Sequence, residues 1–308
     1  MKHITCTVCG SNQYAFLYLA ARSGNVYNVV QCGSCGMVLI NPQPDQHSIG
    51  EYYATAYDYS YMYRMRTGRS ERRDIRIVDK AASRKGAMLD VGCGSGLFVL
   101  AAKKEGWHVR GIDFSKKAVR HGQQKLGVEI ECADLLTYLP ERKFDVMAMR
   151  HIIEHTVDPA SYIQRAAQLL EANGVLYIKT PNIASFAARF SRGVWEWMSP
   201  PAHLFFFSPA TLRLLLEKNG FGVVSIKTRR GDAHSLLLTL LFAVLCRAGI
   251  IKGKRSSAAH GQEQSIRKRN YVLYRFVNAA GMLLIPIEYL LNIFKRGPEL
   301  IAVARVKK

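Results

Sequence analysis

Met88-Leu89-Asp90-Val91-Gly92-Cys93-Gly94-Ser95-Gly96 is the stretch from which the rest of this chain can be read. An apolar run ends in an acid, three glycines follow at alternate positions, and Leu97–Lys104 is apolar at helical spacing. A buried strand, a tight turn and a helix in that order open an α/β nucleotide-binding unit. Side chains in such a turn would block the close approach of a ligand and restrict φ, which favours glycine. The following helix aims its unpaired N–H groups and the positive end of its dipole at the turn. The spacing Asp-x-Gly-x-Gly-x-Gly differs from the dinucleotide fingerprint Gly-x-Gly-x-x-Gly.

A second strand, residues 108–112, ends in Asp113, an acid placed to accept hydrogen bonds from both hydroxyls of a ribose. Asp90 to Gly96, Gly111-Ile112-Asp113-Phe114-Ser115 and Cys132-Ala133-Asp134-Leu135 follow one another in the chain. Together they resemble the cofactor motifs of class I S-adenosylmethionine-dependent methyltransferases. The resemblance implies a doubly wound α/β fold with a seven-stranded, mainly parallel sheet whose last strand is antiparallel. It implies S-adenosylmethionine as cofactor, contacted by Asp90, Gly92, Gly94, Gly96, Asp113, Phe114, Asp134, Leu135 and Arg150. The alternative is a dehydrogenase-like or other nucleotide-binding fold with a chance glycine pattern.

The pattern continues in that sense. Lys116–Leu126 reads as a helix, and residues 128–132, 144–149 and 174–179 read as strands. Asp158-Pro159 starts a helix with the acid as cap and proline at the first position. Ser208-Pro209 starts another that runs through Lys218, and residues 223–228 and Glu299–Val306 close the sheet. Alternating strands and helices imply a mainly parallel sheet covered on both faces.

The 308 residues are 49% hydrophobic and 21% charged, a globular composition sufficient for one α/β unit with additions. A net charge of +20 predicts an anionic partner: nucleic acid, an acidic lipid surface or a phosphorylated substrate. Met1 to Cys6 lacks the apolar core of a secretory signal, and the expected location is cytoplasmic, with peripheral attachment to the cytoplasmic face of the membrane. Of seven cysteines, four form two Cys-x-x-Cys pairs, which suits a reducing compartment and metal binding.

Those pairs, Cys6/Cys9 and Cys32/Cys35, each followed by glycine, flank 22 residues that read as a β-hairpin. Four thiolates fit a closed tetrahedral structural zinc, so residues 1–45 are expected to be a zinc ribbon; a redox pair or unligated thiols are the alternative. A ribbon this small lacks a core, so metal binding would supply much of its folding free energy. Residues 46–85 read as a tyrosine-rich and basic helical linker, either packing against the next domain or closing over the site as a lid. Residues 86–230 with 299–308 form the expected methyltransferase domain.

Residues 231–298 interrupt it with two apolar segments, 236–246 and 271–294. Charges and Pro286 keep both short of a membrane span. Residues 229–308 hold 15 Lys and Arg against 4 Asp and Glu, so +11 of the total charge lies here. Apolar helices flanked by cations suit an interfacial position on an anionic membrane. The other reading is a helical hairpin buried against the domain or a dimer partner.

Methyl transfer needs a nucleophile in line with the methyl group and, for a hydroxyl or carbon acid, a base. His151, Glu154, His155 and His203 are the candidates. Glu154-His155 resembles a pair in ubiquinone-pathway O-methyltransferases and several sugar methyltransferases. In the former it belongs to Met-Glu-x-x-Glu-His and holds a divalent cation. His151 replaces the first acid here, which puts an active-site metal in doubt, and the pair can equally serve as a scaffold for its loop. His203, within Pro201-Ala202-His203-Leu204-Phe205-Phe206-Phe207, either faces the pocket or is a satisfied core residue.

The zinc module, tyrosine-rich segment and core together resemble NDP-sugar C-methyltransferases over residues 1–230. The expected acceptor is a sugar, glycolipid or lipid-linked small molecule. An RNA methyltransferase and a non-catalytic membrane-surface binding protein are the alternatives.

Overall fold

A computed structural model describes residues 1–22, 25–44, 68–230, 240, 243–244 and 285–307. Two units emerge from its contacts. Met1–Ala56, Pro181–Thr211 and Lys227–Leu300 form one; Tyr57–Thr180, Leu212–Ile226 and Ile301–Lys308 form the other. The tyrosine-rich run of residues 52–63 lies outside the described residues, as does most of the insert between residues 231 and 284.

The first unit begins with a hairpin, β1 (Tyr14–Arg22) and β2 (Asn25–Cys32), bulged between Phe16 and Tyr18. A short strand, β3 (Val38–Ile40), pairs antiparallel with β2.

The second unit opens with α1 (Arg69–Ala81). Its face at 71, 74, 75 and 78 is buried, while Arg69, Arg72, Arg73 and Arg76 are exposed. Next come β4 (Ala87–Val91), α2 (Leu97–Lys104) and β5 (His108–Asp113). They are followed by α3 (Lys116–Leu126), β6 (Ile130–Cys132) and β7 (Phe144–Arg150). Ser115 caps α3, accepting the Ala118 N–H at 3.2 Å. After a 3-10 turn at Ile153–His155, α4 (Pro159–Leu169) starts on the Asp158 cap, and β8 (Leu170–Pro181) follows. The remaining elements are α5 (Phe186–Ser191), β9 (Phe205–Phe206), α6 (Pro209–Lys218), β10 (Phe221–Arg229), α7 (Ile285–Ile293) and β11 (Glu299–Val306).

The large sheet has the order β10-β11-β8-β7-β4-β5-β6, with β4 parallel to both β5 and β7. Chain order reverses at β4, so the crevice outside the carboxyl ends of β4 and β7 is the place for a ligand. Met88, Val146, Ala148, Val175, Tyr177, Ile301 and Val303 build the core from the sheet, against Phe98 and Val99 of α2 and Ile75 and Val78 of α1. This is the doubly wound architecture expected. Two strands differ in extent. Gly127, at φ 60, ends α3 and β6 begins only at Ile130. Strand β8 starts early, because Leu170 already pairs with Phe144; the ladder then slips past Asn173, at φ 64, before Val175 meets Val146.

A larger difference concerns residues 181–211, expected within the methyltransferase domain. They group instead with the amino-terminal hairpin. Strand β9 pairs with β3 (Val38↔Phe206, Leu39↔Phe205) and completes the four-stranded sheet β1-β2-β3-β9. Ala20, Tyr27, Val29, Val38 and Ile40 pack on Ala188, Trp195, Met198 and Phe206. A hairpin alone has too little apolar surface to bury, and the returning segment provides the other half of a core. Among the described residues no helix is long and apolar enough to cross a membrane.

Phe206 is 2% exposed in this core. Phe206→Ala is therefore expected to destabilise this unit by about 3–5 kcal/mol, read by urea unfolding followed through tryptophan fluorescence. A change near zero would remove β9 from the unit's foundation.

Candidate active site

In the second unit the glycine turn leaves β4 with Gly92 at φ 65 and Gly94 at φ 57. The two serve different purposes. A side chain at Gly92 would collide with Ile152, whereas one at Gly94 would meet no atom within 4 Å. Gly92 thus lets the turn pack on the segment after β7, and Gly94 keeps an open face. Gly96 closes the turn, its α-carbon packed toward Val128.

Asp113 ends β5 beside this face. Its Oδ2 accepts the Gly94 N–H and its Oδ1 accepts the Ser115 N–H, both at 2.8 Å. Burial raises its pKa, and the two donated N–H bonds work against that rise. A carboxylate oriented by two backbone donors, with further acceptor capacity on each oxygen, fits a diol. Next to an open glycine face, it suits the ribose of a nucleoside cofactor. Phe114 is exposed, Leu135 is buried, and Asp134 Oδ1 accepts from the Leu136 N–H at 2.9 Å and the Tyr162 hydroxyl at 3.0 Å. Asp90 is buried at the carboxyl-terminal part of β4.

Arg150 departs from expectation. Its Nε donates to Asp74 Oδ2 at 3.0 Å, its NH2 group lies 3.3 Å from Glu71 Oε1, and its guanidinium sits 4.6 Å from the centre of the Phe98 ring. Burial lowers its pKa, but the carboxylates of Asp74, Asp90 and Glu71 outweigh that and raise it. Lys179 joins the cluster, with Nζ 3.8 Å from Asp74 Oδ2 and 3.3 Å from Ser70 Oγ. The guanidinium therefore anchors α1 to the sheet. The sequence held a signal for this. Glu71, Asp74 and Asp79 are the acids of an otherwise basic run, and Asp79 also faces inward, accepting from Trp107 Nε1 at 2.8 Å.

Where β7 ends, His151 takes φ 59, an unusual backbone for a residue with a side chain. Its N–H donates to the Lys179 carbonyl at 2.7 Å. Its Nδ1 lies 3.4 Å from Glu154 Oε1, and Thr180 Oγ1 donates to Glu154 Oε2 at 2.9 Å. Glu154 is 2% exposed and Thr180 fully buried. Thr180 thus orients the Glu154 carboxylate, and the His151 imidazole lies against its other oxygen. His155 is half-buried at the end of the same turn. Thr180 was not among the residues singled out from sequence, since it reads there only as a strand end.

The first unit carries His203 and the four cysteines. His203 Nδ1 lies 2.7 Å from the Trp197 carbonyl, and its ring stacks on the Trp197 ring with centroids 6.1 Å apart. Cys6, Cys9, Cys32 and Cys35 place their sulfurs within 4.8 Å of one another, and Sγ–Sγ distances across the two pairs are 3.5 Å. A tetrahedral zinc with bonds near 2.3 Å needs sulfurs roughly 3.8 Å apart, so the donor set fits that ion. The two turns match: the Gly10 N–H reaches the Cys6 carbonyl at 2.7 Å and the Gly36 N–H the Cys32 carbonyl at 2.9 Å. Burial acts to raise the Cys32 thiol, but N–H bonds from Cys35 and Ser34 outweigh it and bring it to about 7.

Strand order, switch point and an acid-gripped glycine turn define the class I methyltransferase architecture. The profile of the methyltransferase-domain family matches residues 65–226, just over half of the chain, and the chain belongs to that family. Curated relatives include ubiquinone biosynthesis O-methyltransferases. That of Rhodopseudomonas palustris is 29% identical over 148 residues, 44% of this chain and 58% of the relative. That of Xylella fastidiosa is 35% identical over 115 residues, 34% of this chain and 46% of the relative. The chain spans about half the length of the curated relatives it matches. Among solved structures, a chain of the Haloferax volcanii Trm112 activator–methyltransferase complex aligns with a TM-score of 0.53 at 13% identity, covering 84% of this chain and 97% of that one. The shared feature is the fold.

Removing one partner of a buried ion pair leaves the other uncompensated. Asp74→Ala is expected to cost about 3–5 kcal/mol in urea unfolding. Arg72→Ala, on the exposed face of the same helix, should change stability by less than about 0.5 kcal/mol. Equal effects would refute the anchoring role.

Proposed function

We propose that this chain transfers a methyl group from S-adenosylmethionine to a small-molecule acceptor: a sugar, a glycolipid or a lipid-linked compound. The observation that carries the reading is Asp113, gripped by the Gly94 and Ser115 N–H groups beside an open glycine face, in a chain of the methyltransferase-domain family. The cofactor supplies an electrophilic methyl group; the chain's own residues hold the cofactor and handle the acceptor's proton. His151 is assigned as the base, with the Glu154 carboxylate beside its ring and Thr180 orienting Glu154. His155 is proposed to line the acceptor side. Because His151 stands where the related pattern has an acid, we assign proton transfer to this turn in preference to cation binding. The four cysteines are assigned a structural zinc.

The attachment of the protein to an anionic membrane surface is part of the same proposal, and α7 supports it. This helix turns its one acid, Glu288, inward against Arg230 at 2.7 Å. Its apolar residues point the other way: Ile287, Tyr289, Leu290, Ile293 and the following Phe294 are 48–72% exposed. Lys295 is exposed next to them. An apolar outer face bordered by cations matches the headgroup region of an acidic bilayer.

Three outcomes are expected. Asp113→Asn should weaken S-adenosylmethionine binding in calorimetry by about tenfold or more, as a charge-assisted hydrogen bond is lost. Wild-type affinity in this variant would unseat the cofactor assignment. His151→Gln and Thr180→Val should leave that affinity unchanged while lowering transfer of labelled methyl to lipid extracts or sugar nucleotides, by about 100-fold for His151 and less for Thr180. Labelling of RNA instead would move the function to nucleic acid. Vesicles of acidic phospholipid should float the protein at low salt, and Ile293→Glu with Phe294→Glu should abolish flotation; protein that stays at the bottom in all cases rejects attachment.

A further inference from the structure

We propose that the metal centre of Cys6, Cys9, Cys32 and Cys35 positions His203 and fixes the proton on its Nδ1. This rests on the assignment of zinc to the cysteines.

The path is short and lies wholly within the first unit. Cys32 is the last residue of β2, and its N–H donates to the Met37 carbonyl at 2.8 Å, closing the turn that carries Cys35. Strand β3 begins at the next residue, Val38. Its three residues hold the segment after His203: Val38 and Leu39 pair with Phe206 and Phe205, and the Ile40 N–H donates to the Leu204 carbonyl at 2.9 Å. Leu204 is the immediate neighbour of His203.

The same strands hold the other side of the histidine. Trp195 and Met198 are buried in the core made by Tyr27, Val29, Val38 and Ile40, and Trp197 packs against it. The Trp197 carbonyl is the group 2.7 Å from His203 Nδ1. A carbonyl only accepts, so Nδ1 carries a proton. The ribbon sheet therefore fixes both the backbone that carries His203 and the acceptor that selects its tautomer.

Strand β3 is too short to hold its register by pairing alone, and the turn before it is closed by two of the metal's ligands. Releasing the ion frees that turn. The expected result is loss of the β3–β9 pairing and of the fixed tautomer, with the glycine turn and Asp113 of the second unit left intact.

The test uses the full chain. Zinc content is measured for wild type, for Cys9→Ser and for protein stripped by a chelator. Histidine side chains labelled with nitrogen-15 are observed by NMR, His203→Gln identifying the resonance, and S-adenosylmethionine binding is followed by calorimetry. Wild type should contain zinc and show His203 locked with the proton on Nδ1. Loss of zinc should unlock that signal without changing cofactor affinity. Ile40→Pro, which removes the N–H that holds Leu204, should unlock His203 while zinc is retained. A locked His203 in zinc-free protein overturns the proposal, as does loss of cofactor binding together with zinc. Absence of zinc from wild type defeats the metal assignment itself. Failure of wild type to bind S-adenosylmethionine defeats the proposed function, while the NMR comparison still decides whether metal and histidine are coupled.

Discussion

A guanidinium and an ammonium cannot be left unpaired in a dry interior, and this constraint organises the second unit. Arg150 ends β7 and Lys179 lies near the end of β8, neither with appreciable access to solvent. Asp74 and Glu71 make their burial tolerable. Satisfying these cations fixes the rotation of α1, turning two acids and the apolar pair Ile75 and Val78 inward and four arginines outward. It also brings the ends of two adjacent strands together where the chain turns into His151, whose N–H completes the link to the Lys179 carbonyl. Ile152 then lies under Gly92. The cofactor turn and the proposed base stand on a common floor whose rigidity comes from charge pairing as much as from apolar packing.

Much of this unit was legible in the sequence because its signals are local. Leu97–Lys104, Lys116–Leu126 and Glu299–Val306 have the bounds their patterns indicate, set by caps, glycines and periodicity. Asp113 was legible because an acid at the end of a second strand has a geometric reason to be there. The pairing of Arg150 was not legible: a cation at a strand's carboxyl end reads as one standing where ligands bind. Local pattern does not reveal that an acid 76 residues earlier already claims that cation. Thr180 was invisible because its importance is a single bond to a buried carboxylate, and threonine at the end of a strand is ordinary.

The first unit shows the limit more clearly. The clustering of the four cysteines was legible from the spacing of two Cys-x-x-Cys pairs alone, since the geometry of each turn is contained in a few residues. The partner of that ribbon is a strand of two residues far along the chain, within an aromatic run that reads equally well as pocket lining or core. Pairings of such separation leave no periodic trace. What could be inferred is a deficit: a hairpin with so little apolar surface of its own must obtain a core elsewhere. Trp195, Met198 and Phe206 supply it.

The inverted polarity of α7 follows from the same bookkeeping of charge. A surface helix normally exposes its acids and buries its apolar stripe. Here Glu288 is drawn inward by Arg230, and the apolar residues are left on the outer face. This pair sets the helix's rotation as Asp74 sets that of α1, but with the opposite consequence for solvent. An exposed apolar face persists in a folded protein when some partner covers it for part of the time. The excess of lysine and arginine in the surrounding sequence is the reason the proposed partner is anionic. Attraction by those cations is screened over about 10 Å at 0.1 M salt, whereas contact with the apolar face is not. In the proposed attachment the two contributions would act in sequence, with charge gathering the protein to a surface and the apolar face of α7 holding it there.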